Sequence, residues 1–320
     1  MNRSREAVPP RPMSVAALTL PAFAKINWTL RVLGRRADGY HELRTIFQTI
    51  SLQDSLIFHE EANGELRLTC DSPDIPVDES NLILRAAHAL RDLYAVKKGA
   101  HVHLTKKIPA AGGLGGGSSD AAIALVGLAH LWQIEISRNK LSEIGARIGA
   151  DVPFFFTGGT ALGTGLGTEV SPLTEAHAEH LLVVTPDVKV STAEAYKALN
   201  APALTKQLGD IILSISRADE QFHDSLHEAL HNDFEPVVFR LYPEIERVKK
   251  ALLAQGARGA LLAGSGSSVF GIFDNREALA GAMDALKAET GWRINACASV
   301  ARTEYLKVLG PCAALLDALF

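Results

Sequence analysis

The sequence predicts an α+β protein of two domains. Its 320 residues amount to about two domains at roughly 150 residues each. Strand-like and helix-like segments are mixed along the chain, without the regular alternation of strand and helix that a doubly wound sheet requires. A polar stretch near 172–180 is the best boundary, so we expect an N-terminal domain over 18–175 and a C-terminal domain over 176–308.

Composition and termini exclude several classes of protein. The hydrophobic fraction is 47%, the charged fraction 21% and the net charge −4, which is typical of a globular protein and gives no basic surface for nucleic acid. The three cysteines show no CxxC spacing, which argues against a disulfide framework. Residues 1–17 lack an apolar run, so we expect a disordered extension and a cytoplasmic protein. Residues 309–320 form an apolar tail.

Apolar and polar residues alternate over 18–33, which predicts a strand with Lys25 and Asn27 side by side on its polar face. Further strands are predicted in the first half over 43–52, 56–59, 65–70 and 101–105. Helical spacing predicts helices over 81–94, 118–134 and 137–148. The second of these would be capped by Ser118 or Ser119 directly after a glycine run.

The second half is predicted to begin with a strand over 181–186. Helices are expected near 192–199, 204–216, 220–231 and 243–255. A strand–loop–strand unit over 260–273, a helix over 275–289 and a strand over 293–301 complete the pattern.

Glycine is concentrated in three places, with five residues in each of 112–117, 158–167 and 256–271. The first run opens directly onto a helix, where backbone N–H groups and the positive helix end favour a phosphate group. It lacks the GxxxxGK[ST] pattern of the P-loop. It also departs from the dinucleotide pattern GxGxxG, because Ser118 stands where the third glycine belongs.

Other residues are weaker candidates when each is taken alone. Asp151 precedes a proline, where an aspartate is usually a cap or turn residue. Lys25 could neutralise a phosphate or lie solvated on its strand. Tyr40 and His41 could stack on a base and read its edge, or form an ordinary turn. The loop 264–266 could face a ligand or connect a hairpin.

Together these motifs resemble the GHMP kinase superfamily of small-molecule kinases. The resemblance runs from about Leu20 to about Ala301, on the blocks AKINWTLRVLGRRADGYHEL, GGLGGGSSDAA, GADVPFFFTGGTALGTGLGTEV, NDFEPVV and GSGSSVFG. It implies a two-domain α+β kinase with a mixed nucleotide-binding N-terminal domain and a ferredoxin-like C-terminal domain. The RRADGYHEL block is most similar to the branch that phosphorylates the tertiary 2-hydroxyl of a cytidyl-diphosphate methylerythritol in the non-mevalonate isoprenoid pathway.

The resemblance also implies residue roles. Asp151 would accept the hydroxyl proton, and Lys25 would keep Asp151 ionised. ATP would lie on Pro109, Gly112, Gly113, Leu114, Gly115, Gly116, Gly117, Ser118 and Ser119. Mg²⁺ would bridge its phosphates, with no assigned protein ligand beyond Ser119 as a guess. The substrate would contact Asn27, Tyr40, His41, Thr192, Tyr196, Gly264, Ser265 and Gly266. Phenylalanine is the expected residue at the Tyr196 position, and either ring can stack.

Three alternatives stay open at this point. The chain could be a GHMP kinase acting on homoserine or mevalonate, a non-catalytic GHMP-fold sensor, or a nucleotide-binding dehydrogenase. His223, His227 and His231 recur every four residues and could bind zinc, although a polar stripe on a solvated helix explains them as well. We expect no nucleic-acid or membrane partner, and a monomer or homodimer.

Overall fold

The computed structural model describes residues 17–204 and 230–317. The expected extension over residues 1–17 lies outside this part, apart from its last residue. Residues 205–229 lie outside it as well. They include all but the first residue of the expected helix over 204–216 and most of the expected helix over 220–231. His223 and His227 therefore fall outside the described residues.

The N-terminal domain is built on a mixed seven-stranded sheet. A long hairpin of β1 (Leu18–Arg35) and β2 (His41–Glu61) forms its centre. The sheet order is β3-β4-β2-β1-β8, and a hairpin of β5 and β6 pairs with β2. The other strands are β3 (Leu66–Cys70), β4 (Gly99–Thr105), β5 (Thr160–Gly165), β6 (Glu169–Pro172) and β8 (His231–Asn232).

Three helices and a 3₁₀ helix cover this sheet. They are α1 (Leu82–Tyr94), α2 (Gly116–Leu131), α3 (Arg138–Ile148) and the 3₁₀ helix Val152–Phe156. Helix α2 is buried on nearly all sides, as its apolar run from Ala121 to Ala129 requires. It begins at Gly116, two residues before the expected cap. Ser118 and Ser119 therefore lie in its first turn, and Gly115 is the N-cap.

The C-terminal domain has the predicted ferredoxin-like topology. Its antiparallel sheet runs in the order β11-β7-β10-β9. The strands are β7 (Leu181–Pro186), β9 (Gly259–Leu262), β10 (Val269–Ile272) and β11 (Trp292–Cys297). The described helices of this domain are α4 (Thr192–Leu199), α5 (Glu235–Leu241), α6 (Pro243–Ala254) and α7 (Arg276–Leu286).

After β11 the chain returns to the N-terminal domain. Helix α8 (Arg302–Val308) and the 3₁₀ helix Gly310–Leu315 place Tyr305, Leu309 and Cys312 in the core of the first domain. The expected division instead ended the C-terminal domain at residue 308 and left 309–320 as a tail. Tyr305 lies on α8, Leu309 is its C-cap and Cys312 lies on the following 3₁₀ helix, and all three are buried in that core.

A separate apolar cluster joins the two domains. Ile26 and Trp28 of β1 pack in it with Val183 of β7 and Phe270 of β10. This contact places loops of the C-terminal domain directly against the first domain's glycine run. Within residues 17–204 and 230–317, no helix has the length and apolar character needed to cross a membrane.

Candidate active site

Two glycine-rich loops, one from each domain, lie in direct contact. The amide of Ser268 donates a hydrogen bond to the Gly112 carbonyl at 3.0 Å. Gly113 has a φ of +75°, and a Cβ atom there would overlap the Ala263 carbonyl oxygen. Glycine is therefore required at Gly113 both for its backbone conformation and for the close approach of the second loop.

Lys25 lies beneath the contact between these loops. Its side chain is 3% exposed, and its ammonium donates to Asn27 Oδ1 and to the Gly113 carbonyl, each at 2.9 Å. The Nζ atom lies 3.4 Å from Asp151 Oδ2. Asp151 is 34% exposed and immediately precedes the 3₁₀ helix Val152–Phe156, so its carboxylate is open to a ligand. The sequence-predicted catalytic pair is thus assembled.

Asn27 is held by its own hydrogen-bond chain. Its Nδ2 donates to Thr45 Oγ1 at 2.7 Å, and that hydroxyl donates to the Thr29 carbonyl at 2.7 Å. With Nδ2 fixed in this way, Oδ1 must point toward Lys25. Asn27 was expected to contact substrate. It lines a cavity, but in the structure it also orients the Lys25 ammonium.

Two cavities meet at the first glycine loop. The first, of about 360 Å³, is lined by all of residues 109–118 together with Asn81, Lys106 and Asp120. The second, of about 350 Å³, contains Lys25 and Asp151. Both are lined by Ala111, Gly113, Gly115 and Ser118, so this stretch of backbone forms their common wall.

The second cavity collects most of the expected substrate residues. It is lined by Asn27, Thr192, Tyr196, Gly264, Ser265 and Gly266. The Thr192 and Ser265 hydroxyls lie 3.0 Å apart, so α4 and the second glycine loop are linked at its rim. Burial and the charge of Asp151 both raise the pKa of Tyr196. Its ring therefore stays neutral beside the carboxylate.

Tyr40 and His41 are not among the residues that line this cavity. Tyr40 is 64% exposed near the turn between β1 and β2. His41 stacks on Tyr196 with ring centroids 4.8 Å apart and planes 28° apart. Burial, followed by the charge of Arg35, lowers the pKa of His41. Two of the three expected aromatic residues are therefore adjacent, and Tyr40 stands apart.

Sequence reasoning missed a buried ionic cluster at the first cavity. The Lys106 ammonium lies 2.5 Å from Asp54 Oδ2 and 2.7 Å from Asp120 Oδ2. Asp54 Oδ1 also accepts from the amides of Lys107 and Ile108, at 2.6 and 2.8 Å. The cluster therefore fixes the strand end that leads into the glycine loop. Asp120 lies in the GGLGGGSSDAA block without an assigned role, and neither Lys106 nor Asp54 stands in a recognisable motif.

The NDFEPVV block also has a local role that its sequence did not reveal. The side chain of Asn232 is buried, and its Nδ2 donates to the carbonyls of Leu262 and Gly264 at 2.8 and 2.7 Å. Asp233 accepts a hydrogen bond from the Val32 amide of β1 at 2.7 Å. The block therefore ties the second glycine loop to the first domain's sheet.

The described residues offer few side-chain ligands for a metal ion. Among residues 17–204 and 230–317, no group of three or more histidine, cysteine, aspartate or glutamate side chains could hold one. The Ser119 hydroxyl is fully buried and has no hydrogen-bond partner there. Ser118, one residue earlier, lines both cavities. These hydroxyls could supply one or two oxygen ligands to an ion brought in by a phosphate ligand.

Comparisons with known proteins identify the family of this chain. The family described as "GHMP kinases N terminal domain" matches residues 81–159, and "GHMP kinases C terminal" matches 213–291. A 4-diphosphocytidyl-2-C-methyl-D-erythritol kinase of Pelotomaculum thermopropionicum is 43% identical over 80% of this chain and 88% of its own length. One from Chlorobium phaeobacteroides is 41% identical over 87% of this chain and 93% of its own. The chain belongs to the 4-diphosphocytidyl-2-C-methyl-D-erythritol kinase family.

Solved structures agree with this assignment. A crystal structure of 4-(cytidine 5'-diphospho)-2C-methyl-D-erythritol kinase covers 88% of this chain and 100% of its own, with a TM-score of 0.70 and 33% identity. A homoserine kinase from Cytophaga hutchinsonii has a TM-score of 0.68 at 20% identity over 92% of this chain and 98% of its own, which shows the shared fold. The predicted fold and enzyme class are confirmed, and the dehydrogenase alternative is wrong.

Proposed function

We propose that this kinase transfers the γ-phosphoryl group of ATP to the 2-hydroxyl of 4-diphosphocytidyl-2-C-methyl-D-erythritol. The observation that carries this proposal is the pair of cavities separated by one glycine-rich wall, with Lys25 and Asp151 in the second. A phosphoryl donor in the first cavity would lie next to an alcohol in the second, because the same loop residues line both. Phosphoryl transfer needs alignment and charge neutralisation more than it needs covalent chemistry.

The nucleotide would occupy the first cavity. Backbone N–H groups of residues 112–117 and the positive end of α2 would hold its phosphates. Bound to ATP, Mg²⁺ would supply charge neutralisation at the phosphates. Ser118 lines the cavity and is the better-placed hydroxyl, while Ser119 would need to expose its buried oxygen.

The alcohol would be activated in the second cavity. Asp151 accepts the proton of the 2-hydroxyl as the oxygen attacks phosphorus. The Lys25 ammonium, with Nζ 3.4 Å from Asp151 Oδ2, offsets negative charge that develops on the transferring group. Asn27 and the Gly113 carbonyl keep the ammonium oriented without neutralising it.

The cytidyl group would bind at the rim of the second cavity. Its base would stack on Tyr196 with Tyr40 closing from the exposed side, and His41 would read its edge. Thr192 and the loop 264–266 would contact the rest of the substrate. His41 now stacks on Tyr196, so a base that uses the same ring face must displace it. We place the enzyme in the cytoplasm, as a monomer or homodimer.

A substrate panel tests the proposal. The purified protein with MgATP is offered the cytidyl substrate, mevalonate or homoserine, and ADP release is coupled to a spectroscopic readout. We expect turnover with the cytidyl substrate alone. Turnover only with mevalonate or homoserine would show that the chain is a different GHMP kinase. ATP binding without turnover of any of the three would favour the sensor alternative.

A further inference from the structure

The C-terminal segment packs behind the catalytic pair, and Tyr305 is its central residue. Tyr305 is fully buried, and its hydroxyl donates to the Phe155 carbonyl at 2.5 Å, four residues after Asp151. Its ring also lies 5.6 Å from the ring of Phe23, two residues before Lys25 on β1. One side chain therefore contacts the segments that carry both reacting groups.

Phe155 continues this contact to the first glycine loop. A Cβ atom built on Gly115 would lie 3.0 Å from Phe155 Cζ and 2.9 Å from Lys25 Cγ. Phe155, Gly115 and the Lys25 side chain are therefore packed closely together. Because interiors are dense, a shift of Phe155 would displace the lysine stem or the loop backbone.

Arg302 fixes the turn that follows the 3₁₀ helix. Its guanidinium donates to the carbonyls of Thr157 and Thr160, at 3.2 and 3.0 Å. Glu175 accepts from the amides of Arg302 and Thr160, both at 3.0 Å. The main chain on both sides of this turn is thus held by one arginine–glutamate unit.

The first two residues of the second glycine cluster explain how this turn can come so close. Gly158 and Gly159 have φ values of +64° and +63°. A Cβ atom on Gly158 would overlap the Tyr305 ring, and one on Gly159 would lie 2.8 Å from the Arg302 amide. These glycines therefore serve the packing of the C-terminal segment and do not face the cavities.

We propose that Tyr305 and Arg302 are positioning residues, which hold the 3₁₀ helix Val152–Phe156 so that Asp151 lies at a reactive distance from Lys25 and from the glycine loop. The inference rests on the proposed function, because it concerns the same catalytic pair. It assigns to α8 a part in turnover although none of its residues lines either cavity.

Tyr305→Phe is the sharpest test, because it removes one hydroxyl and keeps the ring packing. We expect kcat to fall about tenfold, since small misplacements of reacting groups are costly, while KM for ATP and for the alcohol stays within about twofold. Hydrogen exchange of the amides over 151–160 should become faster. If Tyr305→Phe is insoluble, Arg302→Gln frees the same turn from a partly exposed position and carries the same expectation.

Trp132→Phe is the matched control. The Trp132 indole donates to the Gly99 carbonyl at 3.2 Å in the same apolar core, just beyond the end of α2 that lies farthest from the glycine loop. This variant also loses one buried hydrogen bond to a carbonyl. We expect it to lower the melting temperature comparably while kcat and exchange over 151–160 match the wild type.

The outcomes separate this inference from the proposed function. A wild-type kcat in Tyr305→Phe, an equal loss of kcat in Trp132→Phe, or a rise in KM alone would each overturn the positioning role. The proposed function would be overturned if the wild-type enzyme phosphorylated mevalonate or homoserine and not the cytidyl substrate. The comparison of kcat with KM is then made on the substrate that reacts.

Discussion

Two buried lysines lie beside the first glycine loop, and their surroundings differ. Lys106 is 8% exposed and lies between the buried carboxylates of Asp54 and Asp120. Lys25 is 3% exposed, bonds to two neutral oxygen acceptors, and faces one carboxylate that is one-third exposed. Neutral acceptors orient a cation without cancelling its charge, so Lys25 keeps its field for a ligand, whereas the charge of Lys106 is already balanced.

The two clusters therefore have different roles, one in the structure of the loop and one in the reaction. The Lys106 cluster holds the backbone that leads into the glycine loop, through Asp54 and the amides that it binds. Burial opposes the charged form of Lys106, but the two carboxylates together raise its pKa. Removing one partner from the buried Lys106 cluster would leave an unpaired buried charge, which is costly. Asp151 is partly exposed, so its carboxylate remains accessible to a ligand. We therefore expect substitutions in the Lys106 cluster to change stability most, and substitutions at Lys25 or Asp151 to change turnover most.

The largest expected effect comes from exchanging the aspartates for asparagine. Asp151→Asn removes the proton acceptor, and we expect kcat to fall about 10³-fold, within the range attributed to general base catalysis. Binding of a non-hydrolysable ATP analogue, followed by calorimetry, should change less than about threefold. Asp54→Asn, at the other cluster and at a residue that lines neither cavity, should keep most of kcat. Similar losses in the two variants would erase the distinction between the clusters.

Exchanging each lysine for methionine should affect stability in the opposite order, with the larger loss at Lys106 and the smaller at Lys25. Lys106→Met leaves two buried carboxylates close together, so we expect the free energy of unfolding to fall by about 3–5 kcal/mol. Lys25→Met leaves Asp151 partly hydrated and removes two hydrogen bonds to neutral acceptors, so a loss of about 1–2 kcal/mol is expected. Denaturant titration measures both. A larger loss for Lys25→Met would contradict the comparison.

The third expected effect is a pH dependence of stability. Burial raises the pKa of Asp120 to about 7. An unfolded aspartate titrates near 3.9, so between about pH 4 and 7 the folded chain binds more protons and this group makes stability fall as pH rises. Asp120→Asn removes that slope. Its stability relative to the wild type should therefore increase by up to about 1 kcal/mol per pH unit across this window and level off above it.

The control for this experiment is Asp284→Asn, at an exposed carboxylate. It should leave the pH dependence of unfolding close to that of the wild type. Parallel stability curves for Asp120→Asn and the wild type would show that Asp120 is ionised throughout.

Much of the fold was predictable because its signals are local. Alternation along β1 and helical spacing in α1 can be read directly from the residues, and the ferredoxin-like order followed from the family resemblance. The expected division at 308/309 differs from the structure because an apolar stripe indicates burial but not which core receives it. Residues 300–316 pack in the core of the first domain, although the whole second domain lies between the two in sequence. No local pattern encodes such a distant contact.

The candidate site was predictable only in part. Lys25 and Asp151 stand in blocks that resemble a family, and the structure brings them to 3.4 Å. Lys106 and Asp54 carry no such pattern, and they meet although they lie 52 residues apart in sequence. His41 on Tyr196 was not foreseen either, because stacking between two expected ligands depends on the loop conformation.

The return of the chain to the first domain has a consequence for folding during synthesis. Residues 18–175 emerge first, yet the apolar surface that receives Tyr305, Leu309 and Cys312 stays uncovered until the entire ferredoxin-like unit has followed. Domains usually fold as units in order of synthesis, and exposed apolar surface favours aggregation. Here the first domain to be made is the second to be finished, and a ribosome-stalled chain that ends before residue 300 should be a substrate for chaperones.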